Sequence, residues 1–456
     1  MQSFFWLCLF VSCLFLLYGL MTLQCGSTVM LSTKKIPPAF VYNLTPSERL
    51  LFSSCVLEEF DKSGWTKEVI EKAEVDWNPI EDCDKDFKPY TVLGKNGTMW
   101  IDEEHKDAEN VKCWSRGIYH YSEEENDYDS WTELGFEASS VAYETDFVHA
   151  NCELKSTRET VQDYVHITIR TGKNQTSDGH GGVLDEEKLI ETTDTRPSVY
   201  IFVLDSVANS QAWRSLPKTI SLLEKEFDAV NFRHVNKVGE NSFPNGMALF
   251  MGKLVTALDR RLFGAKSIEP DWNKTRACKS YHDNDGFILK SFTQKGYVSM
   301  MAEDWAYGVY NWPDCWGFEE KPVTHYMRPF QVYYETDLER SKKFMGEQQC
   351  LEYHTFLFDY QQKFIEAYPN NPKISLLWAS EIAHNYNDGL FHVDDQLFNF
   401  FRQNRKEFDN SYVFFMGDHG IRWGPVRKSW IGQREINNPM LYVSIPRMIR
   451  DVYTSP

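Results

Sequence analysis

The sequence predicts a doubly wound, mostly parallel α/β sheet preceded by a smaller, β-rich, disulfide-bearing domain. Two contrasts along the chain carry that expectation. After residue 198, short and nearly continuous apolar runs alternate with helical stretches. Before residue 185, strands alternate polar with apolar residues and are rich in Trp, Tyr and acidic side chains. Strands covered on both faces read as continuous apolar runs, whereas half-solvated strands alternate. At 456 residues the chain is long enough for two or three domains.

The first 33 residues contain no Asp, Glu, Lys, Arg or His. Within them Phe4 to Leu23 is apolar for about 20 residues, the length that spans a bilayer's hydrocarbon core. Residues 1–33 therefore read as a signal peptide or an uncleaved signal anchor, with the membrane touched only through this segment. Four Asn-x-Ser/Thr sequons follow, at Asn43, Asn96, Asn174 and Asn273, which predicts N-glycans on a body that is extracellular or membrane-anchored with its bulk outside the cytoplasm. Seven Cys lie beyond the leader, at 55, 83, 113, 152, 278, 315 and 350. Most should pair in an oxidising compartment, with a two-disulfide module within residues 55–152.

Residues 36–185 form the expected β-rich domain, with stretches such as Gly117 to Tyr121 and Tyr164 to Arg170. The Gly-rich polar stretch Thr171 to Pro197 reads as a linker. The α/β domain occupies 196–456. Its predicted parallel strands are Ser198–Asp205, Tyr297–Glu303, Ile374–Glu381, Ser411–Asp418 and Met440–Ile445, with helices over Asp285–Lys295, Leu351–Tyr368 and Gly389–Phe408.

Four of those strands run into carboxylates: Asp205, Glu303-Asp304, Glu381 and Asp418. Ligands of open α/β sheets bind beyond the carboxyl ends of the strands, so these acids are expected to share one crevice. Converging carboxylates need a counter-charge, and a divalent cation supplies it. His419, directly after Asp418, and His384 add imidazole, which favours zinc or manganese over calcium. Any one of these acids alone is better read as a solvated loop residue or a helix cap. The formal charge of −18 argues against a nucleic-acid partner.

The ordered series Asp205-Ser206, Leu216-Pro-Lys-Thr219, Asn236 to Asn245, Glu303-Asp-Trp305, Gly417 to Arg422 and Gly432 to Glu435 resembles the DUF229 family over about residues 50–450. This animal group, expanded in nematodes and insects, has a sulfatase-like domain of the alkaline phosphatase superfamily. The resemblance implies a sheet of alkaline-phosphatase/sulfatase type that holds one or two zinc or manganese ions and acts on a phosphate or sulfate ester. Carried over by position, Asp205, Asp418 and His419 are metal ligands, His384 is a further metal ligand or a contact on the leaving-group side, and Ser242 is the nucleophile. Glu303, Asp388, Asn241 and Arg422 are further metal or substrate contacts, and Arg427 is a second candidate anion contact.

Three features depart from the family pattern. Formylglycine sulfatases need Arg two residues after the Pro of their motif, whereas Ser242-Phe-Pro-Asn-Gly246 has Gly, which favours a serine used directly. The usual His-Asp pair is His384-Asn385 here, and the chain ends about ten residues after Ile445, short for the family. The competing expectations are a catalytically degenerate glycoprotein of the same fold with a binding or structural role, and an acidic calcium-binding matrix protein.

Overall fold

A computed structural model describes residues 79–81, 83, 85–105, 110–171, 196–385 and 389–454. The leader, Asn43, Cys55, Asn174, Asp388 and nearly all of the expected linker lie outside the described residues.

Strands β1 (Thr91–Leu93), β2 (Thr98–Ile101), β3 (Val111–His120), β4 (Asn126–Tyr128), β5 (Thr132–Glu133), β6 (Val141–Ala142), β7 (Phe147–Leu154) and β8 (Thr160–Ile167) form two antiparallel sheets. Their orders are β1-β2-β6 and β4-β3-β7-β8, with β5 alongside β3. The alternation read from the sequence holds here: Ile118, Phe147, Val165 and Ile167 face inward. They join the same apolar core as Tyr200, Phe330, Phe356 and Tyr360 of the α/β part.

A seven-stranded sheet follows, in the order β10-β15-β14-β9-β13-β11-β12. It comprises β9 (Val199–Leu204), β10 (Val230–Asn231), β11 (Val298–Glu303), β12 (His325–Tyr326), β13 (Lys373–Ala379), β14 (Tyr412–Met416) and β15 (Leu441–Ser444). Strands β14, β9, β13, β11 and β12 run parallel. Both faces are covered, which is why β9 is apolar throughout. Tyr200, Phe202 and Leu204 enter the core lined by the helices Pro217–Glu226 and Tyr353–Ala367. Val199, Ile201 and Val203 enter the opposite core with Met247, Phe250 and Trp378. At about 25 cal/mol per Å² of apolar area buried, such rows are the main favourable term holding the strands in register.

Three sequence expectations are corrected or refined. The strand around Met440–Ile445 is antiparallel to β14, with Met416 opposite Leu441. Residues 417–439 stay at one end of the sheet and make no crossover, so the chain can only return in the opposite sense. The helix expected over Gly389–Phe408 divides at Asn404 into Asp394–Gln403 and Arg405–Asp409. Asn404 donates its side-chain amide to Phe400 O (3.0 Å) and to Gln362 Oε1 (2.6 Å), bonds that compete with helix continuation. Among the described residues, only Cys113–Cys152, a cross-strand pair of β3 and β7, closes within residues 55–152. Cys83 instead pairs with Cys350, and Cys278 with Cys315, so one crosslink ties the amino-terminal part to the α/β part.

The strand ends are closely fitted. A Cβ at Gly417 would stand 2.2 Å from the Val207 carbonyl oxygen, a backbone atom that cannot step aside. Gly417→Ala is therefore expected to destabilise the fold by about 1–3 kcal/mol through overpacking. Chemical denaturation checks this, and an unchanged midpoint would show that the strand ends are looser than drawn.

Candidate metal and nucleophile site

Register decides which of the strand-end residues meet. In the parallel ladder Met416 lies beside Val203, and Leu204 beside Ala379. Two residues past the first pair, Asp418 falls beside Asp205; one past the second, Ser380 falls beside Asp205. Asp205, Asp418 and His419, all buried, offer ligand atoms that lie within 4.8 Å of one another.

Each side chain is held from behind. Asp205 Oδ1 accepts from Ser206 Oγ (3.0 Å), and its Oδ2 accepts from Ser242 Oγ (2.9 Å) and Ser380 Oγ (3.2 Å). Asp418 Oδ1 accepts the backbone N–H groups of Ser206 (3.0 Å) and His419 (2.8 Å). Ser206 adopts a left-handed backbone at φ 64°. That conformation costs a non-glycine residue about 1–3 kcal/mol, and it aims the Ser206 N–H at Asp418.

His419 Nδ1 bonds the Gly420 carbonyl (2.8 Å), which leaves Nε2 facing Asp418 Oδ2 (3.3 Å) and Asp205 Oδ1 (3.6 Å). Asp418 Oδ2 and His419 Nε2 are buried with no hydrogen-bond partner. Buried lone pairs of this kind are rarely left unmatched, and a cation would satisfy both at once. Two carboxylate oxygens and an imidazole nitrogen suit zinc or manganese. Burial and the neighbouring Asp205 charge push the Asp418 carboxyl above its ordinary value, a direction that a bound cation reverses.

Ser242 is the first residue of the helix Ser242–Gly246, which continues as a wider turn over Met247–Met251. Asn241, with extended backbone, is the N-cap, but its side chain makes no capping bond and its Oδ1 is buried without a partner. The Ser242 hydroxyl is thus turned to Asp205 and not to its own helix.

The other expected residues stand apart from this trio. Glu303 lies in register with Trp378, two rows short of Asp205, and is buried there. Its Oε1 accepts from Val309 N (3.2 Å), and burial raises its carboxyl to about 7. Asp304 accepts the N–H groups of Ser380 (2.5 Å) and Glu381 (3.2 Å), and burial carries it well above the carboxylate range. Of the four acidic strand ends, then, only those of β9 and β14 supply carboxylates to the group. His384 Nε2 faces Arg422 (3.2 Å) and its Nδ1 faces Asn385 Oδ1 (3.0 Å). Asn96 and Asn273 are exposed. The Oδ1 of Asn96 accepts from Thr98 and that of Asn273 from Arg276 N. The sequence did not single out Ser380, and its only signal was a small polar residue directly after a buried strand.

Among solved structures, the chain is similar to the lipoteichoic acid synthase LtaP from Listeria monocytogenes (13% identity, 55% of this chain and 65% of that one, TM-score 0.35). It is also similar to a protein in the alkaline phosphatase superfamily from Vibrio parahaemolyticus (13%, 55% and 61%, TM-score 0.36). A third similarity is to the phosphonate monoester hydrolase SpPMH from Silicibacter pomeroyi (11%, 55% and 68%, TM-score 0.38). The chain spans about two thirds of the length of such structures. No curated protein matches the sequence. The family match runs from residue 73 to residue 456, further toward the carboxyl end than the motifs alone suggested, and the chain belongs to DUF229, described as a protein of unknown function.

Proposed function

We propose that the chain is a metal-dependent hydrolase or transferase of phosphate or sulfate esters, with Ser242 as nucleophile. The observation that carries this reading is the 2.9 Å bond from Ser242 Oγ to Asp205 Oδ2, because Asp205 also belongs to the buried trio with Asp418 and His419. One hydroxyl and one cation site thus share a carboxylate. When bound by Asp205, Asp418 and His419, zinc or manganese supplies positive charge that favours the alkoxide and the charge developing on the transferred group.

The chain's own groups account for the rest. Ser242 Oγ forms a bond to phosphorus or sulfur, and its proton passes to Asp205 Oδ2. The ester bond breaks, and the departing oxygen takes that proton from Asp205. Water in a hydrolase, or an acceptor alcohol in a transferase, then takes the group from Ser242 and restores the hydroxyl. Processing to formylglycine is disfavoured by the motif, in which Gly246 stands in place of Arg. The three disulfides among the described residues support an oxidising, extracellular or lumenal setting. Exposed Asn96 and Asn273 are the glycan sites consistent with it.

Ser242→Ala should lower kcat/KM for an aryl phosphate by roughly three orders of magnitude while the bound metal is retained; a fully active variant would refute the nucleophile. Chelation should lower the melting temperature. Restoring zinc or manganese at about 1,000 times its Kd should return about 4 kcal/mol, and calcium should not substitute. A purified chain that holds neither metal after dialysis favours the non-catalytic reading instead.

A further inference from the structure

Arg422 leaves the carboxyl end of β14 close behind Asp418-His419, and its guanidinium is held in place on two sides. One terminal nitrogen lies 3.2 Å from His384 Nε2, and Cζ stands 5.0 Å from the centre of the Trp423 ring. Its Nε, by contrast, is buried with no hydrogen-bond partner. An unmatched buried donor on a fixed cation is a receptor for an anionic oxygen.

The same contact determines the state of His384. Arginine only donates, so Nε2 accepts, and Nδ1 carries the proton and donates it to Asn385 Oδ1 at 3.0 Å. The imidazole's single lone pair is therefore already engaged by a cation. A metal ion bound at Nε2 would compete for that lone pair and be repelled by the guanidinium. His384 is also packed against Trp305, with ring centroids 6.0 Å apart. It lies one turn beyond Ser380, to whose carbonyl it donates its backbone N–H (3.1 Å), and Ser380 Oγ bonds Asp205. The Arg422–His384 pair thus borders the cation site on the same end of the sheet.

We infer that Arg422 receives an anionic oxygen of the transferring phosphoryl or sulfuryl group, and that His384 positions Arg422 without binding metal. A single metal ion at Asp205, Asp418 and His419 then suffices, because the guanidinium supplies the second positive charge. This deepens the function proposed above and rests on it.

The test uses the zinc-loaded full chain, with zinc per chain measured by elemental analysis and the affinity for inorganic phosphate by calorimetry. The wild type, Arg422→Ala and His384→Ala should each hold one zinc, and Asp418→Asn none. Phosphate affinity should fall roughly 10- to 100-fold in Arg422→Ala and recover in part in Arg422→Lys, which restores charge without the fork. His384→Gln, whose amide oxygen still accepts from Arg422, should keep most of the affinity that His384→Ala loses, a rescue that a merely structural role does not predict. Should Arg422→Ala fail to fold, Arg422→Gln and Arg422→Lys give the same comparison. Two zinc ions in the wild type with one lost in His384→Ala would make His384 a ligand and overturn the inference. So would phosphate affinity within twofold of wild type in Arg422→Ala. A wild-type chain without zinc overturns the metalloenzyme reading itself, an outcome distinct from either.

Discussion

The structure turns on two buried carboxylates, Asp205 and Asp418, brought side by side with the imidazole of His419. Two unit charges about 4 Å apart repel by about 4 kcal/mol at an effective dielectric of about 20, before the cost of taking either out of water. A fold does not hold such a pair by accident of surface chemistry. It is tolerated because backbone N–H groups and serine hydroxyls take up three of the four carboxylate oxygens, leaving Asp418 Oδ2 beside His419 Nε2 for a positive charge.

That arrangement is a product of the ladder beneath it. Adjacent parallel strands of a doubly wound sheet end on one edge, and their register places residues two positions beyond Val203 and Met416 beside each other. The register is fixed in turn by the two apolar faces, since a slip by one residue would exchange Tyr200, Phe202 and Leu204 with Val199, Ile201 and Val203 between unlike cores. Asp205 and Asp418 are therefore positioned by the hydrophobic packing of the strands that carry them. Gly417, where no side chain fits, then lets the strand end approach Val207 closely enough to bring its aspartate in.

Much of this was legible in the sequence. Continuous apolar runs marked the buried strands, and acids at their ends marked the crevice, because both signals are local. The disulfide partners were not, since Cys83 and Cys350 are separated by 267 positions and no spacing rule reaches that far. Nor was the direction of β15, which depends on where the 417–439 segment runs and not on its composition. Glu303 reads like Asp205 in the sequence, an acid at the end of an apolar strand. Register alone separates the two: Glu303 lines up with Trp378, two rows short of Asp205.

That difference of two rows bears on the charge of the whole site. Glu303, raised to about 7, and Asp304, raised well above the carboxylate range, are buried, and Glu335, raised to about 6, is half-buried; in all three, loss of water is the main cause. Burial thus favours the neutral forms of Glu303 and Asp304. Asp205 and Asp418 are the buried carboxylates that stand together with His419 at the strand ends. One divalent cation matches those two. In the proposed function, an incoming phosphate or sulfate ester would bring negative charge of its own, beyond what a metal matched to those two carboxylates would offset. That remaining demand falls to a cation of the protein, and the fixed guanidinium of Arg422, with its unmatched Nε, stands at the same edge.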